Sequence, residues 1–322
     1  MQINIQLISL IKMHNMLACK FIYEPEEDSA MLERYVRQYA YGKVLDMGTG
    51  SGIQSIAAVQ NKNVASVLAT DVQKGVIKYC KKNIKNKKIK FILSDLFKNI
   101  KGKFDTIIFN PPYLPQELKL KDLTIEGGKN GHETIEKFVG LASKFLNKDG
   151  IILMVFSSLT KKEKVERLIK ENLLDFEELE KQHIFFEDIY AYLLRKNAFL
   201  RKLEAKAITN IKYFRRGHRG LLFTGFYKGK KAVIKAKNPQ STAVGRIENE
   251  AKWLNTLNKY NIGPKLLLTC DDFFVYRFVE GIFIIDYFKK SNKNDIKKAI
   301  KDLFNQLFIL DKLKIDKKEM HH

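Results

Sequence analysis

The sequence predicts an α/β protein, with a parallel sheet covered by helices on both faces and a smaller α+β domain behind it. Two observations predict this. Short apolar runs alternate with helical periods from Lys43 to Glu171, and the charge balance shifts near residue 197. The length of 322 residues agrees, being too long for one ordinary domain and comfortable for two.

The elements follow in order. Lys43–Met47 reads as a strand, followed by glycines and a helix over Ile53–Val59. Ser66–Val72 is the next strand and Lys74–Asn83 the next helix. Further strands are expected at Ile89–Ser94, Phe104–Phe109 and Ile151–Phe156, with helices at His132–Leu146 and Lys161–Glu171. Phe185–Lys196 resembles a hairpin. In such sheets ligands sit beyond the carboxyl ends of the strands, and every unusual cluster in this half falls at such an end.

Composition sets the limits. Hydrophobic residues at 45% and charged residues at 29% describe a globular chain. Its most apolar stretch, Leu266–Phe288, is interrupted by Asp271, Asp272, Arg277 and Glu280, so no membrane span is expected. Cys19, Cys80 and Cys270 form no C-x-x-C pair, which argues against a disulfide framework or structural zinc and for a reducing cytoplasm. The apolar run Ile3–Ile11 lacks a basic leader and a cleavage site, so residues 1–20 read as an extra strand or as a start belonging at Met13 or Met16. The net charge of +22 comes from 48 Lys and only 10 Arg, which favours a generally solvated basic surface and leaves RNA or ribosome contact open. Residues 1–196 carry net +7 and residues 197–322 net +15, which places the domain border near 197.

Four clusters carry chemistry. Gly48, Gly50 and Gly52 after the first strand let the backbone approach a ligand, or simply make a tight turn. Asp71 ends the second strand about twenty residues on, where a carboxylate can accept from ribose hydroxyls. No Lys follows the glycines, so the ligand reads as a nucleoside without a demanding pyrophosphate. Asp95 ends the third strand and can accept from an adenine amino group or cap a helix. Asn110, Pro111, Pro112 and Tyr113 end the fourth strand. The Asn110 side chain and the Pro111 carbonyl offer two acceptors for a planar NH2 group, and Tyr113 offers a ring for its face.

With YEPEEDS (Tyr23–Ser29), FNPPYLP (Phe109–Pro115) and EGGKNGHETIEKF (Glu126–Phe138), residues 21–196 resemble class I S-adenosylmethionine-dependent methyltransferases. The closer resemblance is to HemK-type release-factor glutamine methyltransferases of the short archaeal and eukaryotic branch. The resemblance implies a Rossmann-like sheet. Ser29, Asp46 and Gly48 would contact the methionine part of the cofactor, Asp71 the ribose, and Asp95 and Leu96 the adenine. Asn110 and Pro111 would hold the target amide, Tyr113 would pack on it, and Gly127, Gly128 and Asn130 would shape the covering loop. The family more often has Glu where Asp46 stands and an aromatic where Glu126 stands. The implied reaction is methyl transfer to the glutamine nitrogen of a Gly-Gly-Gln loop in a translation release factor, with a small zinc-binding activator subunit as partner. The alternative is N6-adenine or N2-guanine methylation of RNA or DNA, because the same acceptors suit aromatic amines.

Residues 197–322 read differently. Strands are expected at Leu221–Tyr227, Lys231–Lys235, Lys265–Thr269 and Phe273–Val279, with helices at Ile247–Leu257 and Asp295–Leu313. GHRGLLFTG (Gly217–Gly225), Lys235 and Glu250 resemble the amino-terminal lobe of RIO-like and archaeal atypical protein kinases, which implies ATP at Lys235 and Glu250. An ordinary surface ion pair is the alternative. No catalytic-loop Asp or metal-binding pair follows, so an incomplete kinase without phosphoryl-transfer activity is expected.

Overall fold

A computed structural model describes residues 25–112, 131–216, 220–237 and 246–315. Residues 1–20, Tyr23, Tyr113, Glu126, Gly127, Gly128 and Asn130 lie outside the described residues. The chain divides into two compact units between Leu203 and Glu204.

The first unit holds strands β1 (Gly42–Met47), β2 (Val64–Asp71), β3 (Ile89–Leu93), β4 (Phe104–Phe109), β5 (Leu146–Ser157), β6 (Leu174–Ile184) and β7 (Glu187–Lys196). They form one sheet in the order β3-β2-β1-β4-β5-β7-β6. The first five are mutually parallel. The expectation of a purely parallel sheet is corrected at the edge: β7 runs antiparallel to β5, and β6 antiparallel to β7. A two-residue turn between β6 and β7 leaves no length for a crossover, so antiparallel pairing is the only geometry open to them. β3 is followed by a turn rather than a helix.

The helices of this unit are α1 (Glu27–Tyr39), α2 (Ile53–Gln60), α3 (Lys74–Asn83), α4 (Glu133–Phe145) and α5 (Lys162–Glu171), with α6 (Ala198–Ala205) beyond β7. Alternation along β5 assigns them to faces. Ile151, Leu153 and Val155 join Met31, Leu32 and Val36 of α1 and Ala57 and Ala58 of α2 in one buried cluster. α3 packs Val76, Ile77 and Cys80 on Ala69 and Phe91, a cluster joined to the first through Ile89. On the opposite face Phe138 of α4 lies 4.3 Å from Phe109, ring to ring, and Tyr192 of β7 donates to Glu166 of α5 at 2.8 Å. Burial on both faces explains why β5 reads as a continuous apolar run from Ile151 to Phe156.

The second unit is an antiparallel sheet of β8 (Ile208–Arg216), β9 (Gly220–Tyr227), β10 (Lys230–Lys237), β11 (Leu266–Thr269) and β12 (Phe273–Arg277), in the order β11-β12-β10-β9-β8. Helix α7 (Arg246–Asn258) connects β10 to β11 and buries Ile247 and Ala251 against Phe274. Helices α8 (Ile284–Lys290) and α9 (Lys293–Lys312) follow. Among the described residues no helix is long and apolar enough to cross a membrane. Nor is any group of three or more His, Cys, Asp or Glu side chains among them placed to hold a metal ion.

Candidate active site

The site is built at the carboxyl ends of β1 to β4. Between β1 and α2 the chain turns through Gly48, Gly50 and Gly52, with φ of 68°, 51° and 83°. These left-handed conformations are costly for any residue with a Cβ, which is why glycine stands at each. Gly52 is doubly constrained, because a Cβ there would meet Ile84 Cδ1 at 2.3 Å.

Asp46 anchors this turn. Its Oδ2 accepts from Thr49 Oγ1 and from Ser55 Oγ, both at 2.6 Å. Burial is the main cause that pushes its carboxyl up to about 6. The two hydroxyls pull in the other direction, while the neighbouring Asp71 charge adds to the rise. Asp71 is tied to the same turn. Oδ2 accepts from the Gly50 amide at 3.2 Å and Oδ1 from the Gln73 amide at 2.9 Å. Burial raises its pKa against those two bonds. Cys80 of α3 donates from Sγ to the Gly50 carbonyl at 3.3 Å, and burial pushes its thiol up to about 12.

At the end of β3 the helix-cap reading of Asp95 is set aside, since no helix follows and its side chain is exposed. Leu96 has φ 44°, a left-handed conformation uncommon for a branched apolar residue. Ser94 holds it there by donating to the Leu96 carbonyl at 2.7 Å, while Ser94 Oγ accepts from the Asn99 amide at 3.1 Å.

At the end of β4, Asn110 Nδ2 donates to Asp28 Oδ2 at 3.0 Å and to Ser29 Oγ at 3.2 Å. Pro111 is buried beside it and Pro112 half-buried. Ser29 also accepts, through its carbonyl, from Gln54 Nε2 at 2.9 Å. Two side-chain carbonyl oxygens at this corner, Asn110 Oδ1 and Gln54 Oε1, are buried with no hydrogen-bond partner among the described residues. Buried orphan acceptors are rare, and here they mark where a ligand carrying N–H groups belongs. Asp28 and Gln54 escaped the sequence reading. Asp28 sits within the YEPEEDS motif but shows its role only when α1 is docked on β4. Gln54 looks like any polar residue in the first turn of a helix.

An acidic glycine turn, a carboxylate closing the next strand and an Asn-Pro-Pro corner, all at the carboxyl ends of neighbouring strands, are the features of a methyltransferase dependent on S-adenosylmethionine. The chain belongs to the methyltransferase small domain family, whose sequence model matches residues 25–186. A Methanocaldococcus jannaschii protein provisionally named protein N5-glutamine methyltransferase is 37% identical over 155 residues, 46% of this chain and 78% of that protein. The release factor glutamine methyltransferase of Haemophilus influenzae is 27% identical over 160 residues, 44% of this chain and 54% of that protein. Among solved structures, the E. cuniculi Mtq2–Trm112 complex, described as responsible for methylation of the eRF1 translation termination factor, is similar at 25% identity. It covers 55% of this chain and 99% of the matched chain, with a TM-score of 0.45.

The residues present fit the cofactor. Its amino acid part carries N–H donors for Gln54 Oε1 beside Ser29, its ribose hydroxyls suit the Asp71 carboxylate, and its adenine suits the Leu96 turn beside Asp95.

Proposed function

We propose that the first unit methylates the side-chain amide nitrogen of glutamine in the Gly-Gly-Gln loop of a translation release factor. One observation carries the reading: Asn110 presents a buried carbonyl oxygen with no partner among the described residues, held from behind by Asp28. An amide NH2 offers two donors, and Asn110 Oδ1 and the Pro111 carbonyl are the acceptors for them. Holding both hydrogens orients the nitrogen and draws electron density onto it, which a delocalised amide needs in order to act as a nucleophile. The bound cofactor supplies an electrophilic methyl group on a sulfonium. Ser29, Asp46, Gly48, Gly50, Gly52, Asp71, Asp95 and Leu96 are assigned to holding it, and Tyr113 to packing on the target. The names of the relatives support protein glutamine as the substrate class. The small zinc-binding activator subunit belongs to the same proposal.

The test is methyl transfer from labelled S-adenosylmethionine to purified release factor and, separately, to bulk RNA, with the activator subunit present. Label on the factor at its Gly-Gly-Gln glutamine is expected. The basic charge of residues 197–322 favours the second reading, N6-adenine or N2-guanine methylation of nucleic acid, and label on RNA alone would establish it.

For the second unit we propose a nucleotide-binding lobe related to atypical protein kinases. Its support is the ion pair between Lys235 of β10 and Glu250 of α7, the residues singled out for ATP. Binding of a fluorescent ATP analogue that Lys235→Ala abolishes is the expected result. Equal binding by the variant would leave Lys235–Glu250 an ordinary ion pair.

A further inference from the structure

The hairpin of β6 and β7 ends in a feature that methyl transfer does not use. Its turn is Phe185–Phe186, closed by the Ile184–Glu187 pair, and the two side chains are 85% and 99% exposed. Phe185 has φ 50°, the conformation that two-residue hairpin turns normally give to glycine or asparagine. A bulky residue in that conformation is strained, and here the strain is not offset by any burial of the ring.

The turn lies at the catalytic end of the sheet. Phe109 pairs with Met154, Met154 with Tyr192, and Ser157 with Ile189, so the tip projects in the direction of Asn110 from two strands away. At about 3.3 Å per residue it reaches on the order of 15 Å past the level of Asn110. The arm is braced. Ser157 Oγ donates to Glu187, and the Asp188 amide donates to Ser158 Oγ at 3.0 Å. Glu180 of β6 accepts from Arg34 at 2.8 Å on each oxygen and from Tyr35 Oη at 2.8 Å. Those two residues belong to α1, the helix whose Asp28 holds Asn110. Tip and amide-gripping corner are thus registered on one helix.

Charge selects the kind of partner. Residues 174–196 carry six carboxylates against three Lys and Arg, and Arg34 and Lys162 pair with Glu180 and Glu178 from outside the segment, so the arm is nearly neutral inside a chain of net charge +22. A nearly neutral arm offers a phosphate backbone no counter-charge, whereas its two bare rings match an apolar spot on a protein surface. We propose that the Phe185–Phe186 tip docks the protein substrate, gripping an apolar patch beside the loop to be methylated. The proposal rests on the protein-glutamine reading above.

The test compares the full chain, with its activator subunit, with Phe185→Ser/Phe186→Ser and with Phe186→Ser alone, on intact release factor and on a short peptide of the Gly-Gly-Gln loop. For the double variant KM for the intact factor should rise about tenfold or more, the loss typical of a truncated aromatic anchor. Its kcat, its peptide KM and its melting temperature should stay unchanged, and the single variant should fall between. Unchanged KM for the factor overturns the docking role and leaves the glutamine reading standing. Equal losses on peptide and factor overturn it as well, making the tip part of the pocket. Loss of RNA affinity with protein methylation intact overturns it in favour of base stacking. If the wild-type chain labels no protein at all, the glutamine reading itself fails and the proposal fails with it.

Discussion

Asn110 Nδ2 donates to Asp28 Oδ2 at 3.0 Å, and this bond decides which way the amide of the Asn-Pro-Pro corner faces. A carboxylate only accepts, so the NH2 group must point at Asp28 and the carbonyl oxygen must point away from it. That oxygen is buried and has no partner among the described residues. A corner that could present either end of an amide is thereby set to present an acceptor.

Asn110→Ala should abolish methyl transfer while leaving cofactor affinity nearly unchanged, as measured by isothermal titration beside a rate assay. Equal loss of both would make Asn110 a structural residue. Asp28→Asn should keep the fold but let the amide turn over. Its kcat is expected to fall roughly tenfold to a hundredfold, the scale of a misplaced reacting group, with KM for the cofactor within about twofold.

Asp46 makes stability depend on pH. Its folded pKa, about 6, lies above the ordinary aspartate value of 3.8. The folded state therefore holds the proton more tightly, and the stability from this group is full below about 3.8 and lost as pH rises through about 6. The whole effect is about 3 kcal/mol at most. Asp46→Asn, still able to accept from Thr49 and Ser55, should flatten the fall in melting temperature between pH 4 and 7.

Gly52→Ala places a Cβ at φ 83° and 2.3 Å from Ile84 Cδ1. The variant should lose about 1–3 kcal/mol of stability by denaturant titration and bind the cofactor more weakly, because the turn must shift.

Cys80 should resist alkylation. Its thiol is buried, bonded to the Gly50 carbonyl and pushed up to about 12, so almost no thiolate exists at pH 8. Mass spectrometry after iodoacetamide should find the half-buried Cys270 modified in the native protein, and Cys80 only after unfolding.

Much of the first unit was legible because its signals are local. The α3 and β4 boundaries agree with Lys74–Asn83 and Phe104–Phe109 as read from the sequence, and β1 and β2 differ by one or two residues at their ends. Helix α1 went unread because its charged face outweighs Met31, Leu32 and Val36 until a sheet is present to cover them. β6 went unread for a related reason: Asp175, Glu177, Glu178 and Glu180 are poor strand formers, held in the sheet by pairing with β7. In the second unit β8 and α8 were missed, while the Lys235–Glu250 pairing was anticipated from the resemblance to atypical protein kinases.

By itself the sequence determined which residues stand at the strand ends, because glycine turns, terminal carboxylates and paired prolines act on their own backbone. Only the tertiary structure decided that Asp28 orients Asn110 across 82 residues of chain, that Gln54 joins them through Ser29, and that an acidic hairpin runs antiparallel at the edge of the sheet. The reason is physical: a hydrogen bond between distant segments exists only after burial has brought both against the same sheet, and no local propensity encodes that meeting.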